Sequence, residues 1–127
     1  MNDETLLLRQ VHPSWIQAGR PSSQVFRPTP KDEDRLSAYH GDLISAQDAW
    51  QHYTAQLGLP SAGVLAANVA ECQAQRLEVV PDGQPFPEHV SIVFSGLTNS
   101  QREKVSKLLR NFAEARGWQF QASESGL

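Results

Sequence analysis

A chain of 127 residues with one cysteine, one methionine and no long apolar run leaves several chemistries out at once. Cys72 has no partner for an intramolecular disulfide, and without a CxxC or a Cys/His pairing no structural zinc site is expected. A reducing compartment fits such a chain. No stretch approaches the roughly 20 apolar residues of a membrane-spanning helix. The opening MNDETLLLRQ sets acids before three consecutive leucines, whereas a secretory signal needs a basic start and roughly 7–15 apolar residues. The expectation is therefore a cytoplasmic protein with no membrane partner. The phosphate-cradling GxxxxGK, the dinucleotide fingerprint GxGxxG, the nucleophile elbow GxSxG and the zinc pair HExxH are also missing. No cofactor and no metal are expected, and the scaffolds built on those motifs are disfavoured. Enzymes without short motifs stay open.

What is present suits one packed domain. Apolar residues make up 39% of the chain, with three Trp, two Tyr and five Phe, too rich in large side chains for a disordered segment. Dividing 127 residues into two cores would leave each too small to bury enough apolar surface, so residues 9–120 are expected to form one core and 121–127 a flexible tail. The net charge of −3 is uneven. Between Gln101 and Arg116 five bases face two acids, a local +3 that leaves −6 elsewhere. Such a helix is either a solvated face or a surface for nucleic acid or another anion.

Along the chain, Leu6 to Trp15 reads as a strand that ends or bends near Pro13. Gly19 to Arg35 holds three prolines and the run KDEDR, and it reads as a long surface loop with a short strand around Phe26. Leu36 to Tyr39 adds a brief strand before the Gly41-Asp42 turn. Ser45 caps a helix carrying Ala46, Ala49, Trp50, Tyr53 and Leu57 at helical spacing, and Gly58 and Pro60 stop it. Ala62 to Ala67 suits a buried strand. Asn68 with Glu71 opens a short helix through Gln75, and Leu77 to Val80 is strand-like. After the Pro81-Asp82-Gly83 turn, the strand HVSIVF sets Val90, Ile92 and Phe94 on one face and His89, Ser91 and Val93 on the other. A closing helix, Ser100–Arg116, is predicted from a Ser100/Glu103 capping box, a stripe of Val105, Leu108, Leu109 and Phe112, and a left-handed cap at Gly117. Trp118 and Phe120 then return to the core. The fold class is α+β: a mostly antiparallel or mixed sheet packed by two main helices and one short one.

Two sets of side chains could carry chemistry. The triplets His12-Pro13-Ser14 and His89-Val90-Ser91 each set a histidine two residues from a hydroxyl, and positions i and i+2 of a strand share a face. Two such pairs across a cleft would supply a general base, a general acid and phosphoryl-oxygen donors, which makes His12, Ser14, His89 and Ser91 the catalytic candidates. The alternative is a turn at His12 and a strand-end imidazole at His89 bonded to backbone or water. Arg9, Arg20, Arg27 and Lys31 lie on or beside the proline-stiffened loop and could grip phosphate or carboxylate, unless Asp32, Glu33 and Asp34 neutralise them locally. Trp15 and Trp50 could cover a pocket, though core packing is the default. Cys72 reads as a buried, unreactive thiol.

HVSIVFSGL followed by a helix resembles a half-motif of the two-histidine phosphoesterases, which process RNA ends and cyclic phosphates. The combination RQVHPSW, SSQVFRPTPKD, LSAYHGD and PFPEHVSIVFSGL, from Arg9 to Trp118, resembles small uncharacterised bacterial proteins of similar length that are associated with mobile or defence-related gene clusters. That second resemblance implies an accessory role. The leading expectation is a small interaction protein acting through a protein partner in a bacterial operon. A phosphoesterase using His12 and His89, or a nucleic-acid-binding module using the basic closing helix, are its alternatives.

Overall fold

In the computed structural model, which describes residues 1–29 and 33–122, β1 (Leu6–Gln10) runs between β4 (Arg35–His40) and β5 (Gly63–Asn68). Outside them lie β7 (His89–Val93) and β6 (Glu78–Val80) at one edge and β8 (Phe120–Gln121) at the other, in the order β6-β7-β4-β1-β5-β8. Every neighbouring pair is antiparallel. A separate hairpin pairs β2 (Ile16–Gln17) with β3 (Arg20–Pro21). Its two-residue turn, Ala18-Gly19, has φ of +52° and +76°, the positive values that tight hairpin turns require. The architecture is α+β, with helices α1 (Ala46–Gln51), α2 (Val69–Ala74) and α3 (Asn99–Arg116) covering both faces of the large sheet.

Alternation within the strands creates two cores. Leu7, Leu36, Ala38, Leu65, Val90 and Ile92 turn to the face covered by α2 and α3, where Cys72, Val105, Leu109 and Ala113 meet them. Burial and the neighbouring Glu71 push the Cys72 thiol up to about 12, so it stays a thiol at neutral pH. Leu8, Tyr39, Val64 and Ala66 turn to the opposite face, against Ala49, Trp50 and Tyr53. The expected faces of HVSIVF hold: Val90, Ile92 and Phe94 enter the main core. Gly63 is required where β5 meets β8. A Cβ there would stand 2.5 Å from the Phe120 carbonyl oxygen and 2.9 Å from the Trp118 ring, at φ +156°.

Several expected elements shift. The first strand ends at Gln10 rather than near Pro13, and residues Pro13–Trp15 form a 3-10 turn capped by His12. Proline fits the first position of such a turn because its missing N–H would have no partner there. The loop from Gly19 is not confined to the surface. Ser23–Phe26 is a 3-10 turn, not a strand, and it drives Val25 and Phe26 to complete burial between sheet and α3. The helix from Ser45 is α-helical only to Gln51 and continues as a π-type turn, His52–Gln56. The capping box of α3 is Thr98/Gln101 rather than Ser100/Glu103, because the same side-chain pattern is met two residues earlier. Its buried stripe is Val105, Ser106, Leu109 and Ala113, leaving Leu108 and Phe112 exposed. Ser106 takes an inward place with its hydroxyl within bonding distance of two carbonyls, that of Arg102 in its own helix at 2.7 Å and that of Phe26 at 2.9 Å. Gly117 ends α3 at φ +94°, ψ 168°, outside the left-handed helical basin. Of the expected tail, 123–127 lie outside the described residues.

Candidate active site

The central strands part company. β1 and β4 pair only at Leu7↔His40 and Leu8↔Tyr39, while β1 continues on β5 to Gln10↔Val64 and β4 continues on β7 to Arg35↔Val93. The resulting fork opens a cleft of about 410 Å³, within the range of small-molecule sites. It is lined from both sheet faces, by Arg9, Leu36 and Ala38 on the α3 side and by Ser37, Tyr39 and His89 on the α1 side. Arg9 holds the fork open: its Nε donates to the Val25 carbonyl and its Nη1 to the Ser37 carbonyl, each at 2.7 Å. The bond to Ser37 replaces what a β1 ladder would have made there.

On the α1 side, strand register assembles a polar relay. Ser37 lies opposite Ser91, and Tyr39 opposite His89, so Ser37 and His89 are diagonal neighbours on one face. His89 Nε2 lies 3.0 Å from Ser37 Oγ, and His89 Nδ1 lies 2.6 Å from Asp82 Oδ1. A carboxylate only accepts, so Nδ1 carries the proton and the Nε2 of a neutral ring is left to accept from the Ser37 hydroxyl. Ser91 donates to the other carboxylate oxygen, Oδ2, at 2.7 Å, which fixes Asp82 from both sides. His89 is only 7% exposed, whereas Ser37 is open to the cleft. The Phe86 ring packs edge-on against His89 at 5.3 Å and stacks on Tyr39 at 5.1 Å, while the Tyr39 hydroxyl bonds His52 Nδ1 at 2.8 Å. Burial raises the Tyr39 phenol well above its ordinary range, with Tyr53 and Glu88 adding to it.

No family model, curated protein or solved structure matches this chain. The chemistry therefore rests on the side chains themselves.

The catalytic candidates fall in two places. His12 and Ser14 pair with each other on the 3-10 turn, Ser14 Oγ 2.7 Å from His12 Nδ1, so they do not share a strand face. His89 and Ser91 both bind Asp82. The cleft lining takes in His89 but not His12, Ser14 or Ser91. Among the arginines, Arg9 and Arg27 line the cleft, and Arg20 is engaged elsewhere in a two-bond pair with Glu114 at 2.7 and 2.8 Å. That pair holds the Glu114 carboxyl below its ordinary value through the hydrogen bond from Arg20. Lys31 and Asp32 lie outside the described residues. Of the acidic run, Asp34 pairs across the fold with Arg102 on α3. Four of the five α3 cations are likewise committed, Arg102 to Asp34, Lys107 to Glu103, Arg110 to the Pro21 carbonyl and Arg116 to Glu71. Trp50 belongs to the second core and donates to the Ser61 carbonyl, whereas Trp15 lines the cleft with the Arg9 guanidinium 6.0 Å from its ring centre.

Ser37 and Asp82 carry no motif. Pro81-Asp82-Gly83 reads as a turn in the sequence but is an irregular stretch ahead of the Pro87-Glu88 turn, and it is held beside the start of β7 through Asp82 N–H to Val80 and Gly83 N–H to His89 carbonyl bonds. Partial burial raises the Asp82 carboxyl, but hydrogen bonds from His89 and Ser91, attraction to His89 and a Gln84 backbone bond outweigh it, so it titrates below the ordinary carboxylate value. A folded value lower than the unfolded one gives stability that is complete above about pH 4 and is lost as pH falls through the folded value. The urea midpoint of the wild-type chain should therefore drop more steeply below about pH 4 than that of Asp82→Asn. Parallel acid limbs for the two proteins would show that Asp82 contributes nothing.

Proposed function

We propose that the protein is a small serine hydrolase that cleaves an ester or thioester by acyl transfer to Ser37. The observation that carries this reading is the relay Ser37–His89–Asp82, in which an accessible hydroxyl meets a buried imidazole whose other nitrogen is held by a carboxylate. Ser37 Oγ attacks the carbonyl carbon while its proton passes to His89 Nε2. The tetrahedral oxyanion collapses, and the leaving alcohol or thiol departs with that proton. Water then attacks the acyl-serine, again giving a proton to His89, and the second collapse returns that proton to Ser37 Oγ as the carboxylic acid leaves.

Two groups are suited to the oxyanion. The Arg9 guanidinium sits against the Ser37 carbonyl. The backbone of Ser37 itself faces the fork, because the hydrogen-bonded β4–β7 positions are those of His40 with Glu88 and Asp34 with Phe94. The phosphoesterase reading has less support, since it needs His12 at the same cleft. A partner-binding role keeps one specific support, the exposed Leu108 and Phe112 one turn apart on α3.

A fluorophosphonate probe separates these readings. The expected result is a single covalent adduct, seen by intact mass and mapped to Ser37, that is lost in Ser37→Ala and strongly slowed in His89→Ala. Absence of any adduct, or one that persists in Ser37→Ala, would remove the hydrolase and leave partner binding as the supported role.

A further inference from the structure

We infer that the substrate of this cleft is an amphiphilic anionic ester: an apolar acyl chain joined to a leaving group that bears a carboxylate or phosphate. The inference rests on the hydrolase reading for the word ester, and on independent observations for the rest. In a chain of net charge −3, the cleft is lined by two arginines and, among the described residues, by no carboxylate. Arg9 is held in place by its bonds to the backbone carbonyls of Val25 and Ser37. Arg27 is different: its side chain is exposed and makes no hydrogen bond or ion pair among the described residues. It also borders the adjoining hollow beside Thr98, where the neighbouring Arg102 is already neutralised by Asp34 at 2.6 Å. A guanidinium at a cleft mouth with no partner among the described residues presents a planar set of donors that matches carboxylate and phosphate oxygens.

The other wall is apolar. The chain leaving the π-type turn lays Leu57 and Leu59 along the cleft at 46% and 44% exposure, beside Tyr53 and Phe86. Large side chains left half-open at a concave site have a use when a ligand covers them. Arg27 follows the 3-10 turn packed under α3, and Leu57 follows α1, which covers the opposite face. Ser37 lies on the strand between these two walls, so an ester bond set at Ser37 would place its apolar and anionic ends on different sides of the fork.

The test uses 4-butyryloxybenzoate and 4-butyryloxyphenyl phosphate against neutral phenyl butyrate, with release of the phenol measured. The wild-type protein should prefer at least one anionic ester by about ten- to a hundredfold in kcat/KM, the range of one charged hydrogen bond, and Arg27→Gln should erase that preference. The two anionic arms distinguish carboxylate from phosphate. Circular dichroism of Arg27→Gln, whose side chain is exposed, should match that of the wild type, so that a lost preference is not a lost fold. Equal rates on neutral and anionic esters would overturn the substrate class while leaving the hydrolase intact. Conversely, if no ester is cleaved but the inert amide 4-butyramidobenzoate binds Ser37→Ala and loses affinity in the added Arg27→Gln, the anion site stands and the hydrolase falls. No binding and no cleavage would remove both.

Discussion

Replacing Phe26 by alanine should lower the unfolding free energy by about 3–5 kcal/mol, the cost of emptying a large buried aromatic site. Phe26 has no exposed surface, and it comes from a segment whose prolines and charges mark it as loop. Its Ser23–Phe26 turn is pinned at both ends, by the Ser22 side chain on the Gln24 N–H and by the Ser106 hydroxyl on the Phe26 carbonyl. Removing the ring takes packing from both sheet and α3, which share this core with it. A loss of that size is a large share of the roughly 5–15 kcal/mol that small domains possess. Urea unfolding followed by tryptophan fluorescence should show a lower midpoint with an unchanged slope, and Phe26→Leu should recover most of it. A Phe26→Ala midpoint within the error of wild type would mean that this segment docks only loosely.

Asp82→Asn should lower kcat on the order of 10³–10⁴-fold with little change in KM. The substitution keeps the shape of the side chain and allows Ser91 to remain bonded, so the fold should persist. What changes is the proton. An amide can present its N–H₂ to His89 Nδ1, which favours the tautomer with hydrogen on Nε2, and that ring cannot take the Ser37 proton. The 2.6 Å contact between Asp82 and His89 is the geometry on which this expectation stands. Turnover of 4-nitrophenyl butyrate, with circular dichroism as the control for folding, measures it. A kcat within tenfold of wild type in a folded variant would show that the carboxylate is a structural anchor for the β6–β7 turn.

The local sequence carried the elements whose causes are local. Ser45, and Asn68 with Glu71, cap helices because a side chain three residues from its backbone partner needs no help from the rest of the chain. HVSIV alternates because the strand period is two, and that alone assigned Val90 and Ile92 to one side and His89 and Ser91 to the other. Where competing local signals lay close together, a distant contact decided between them. The stripe of α3 buries Ser106 instead of Leu108, where the segment carrying Phe26, 80 residues away, packs against the helix and its carbonyl meets the Ser106 hydroxyl.

The candidate site was only half legible for the same reason. His89 stood out as a strand-end histidine beside a serine, but its hydroxyl partner, Ser37, comes from a strand 52 residues earlier that becomes adjacent only through the β4–β7 register. Asp82 looked like a turn residue, but it lies in the irregular stretch before the Pro87-Glu88 turn; its role exists because that connection returns it to β7. Arg9 and Arg27 were singled out as anion-binding candidates from their neighbourhood, yet that Arg9 is committed to backbone carbonyls and that both line one cleft depends on the parting of β1 from β4. Composition and periodicity by themselves determined an α+β chain with a buried Cys72 and strand faces around His89, because burial pattern and capping are written in nearest neighbours. Tertiary structure alone decided that the sheet forks, that Phe26 enters the core and that Ser37, His89 and Asp82 meet, because strand register joins residues that no local spacing relates.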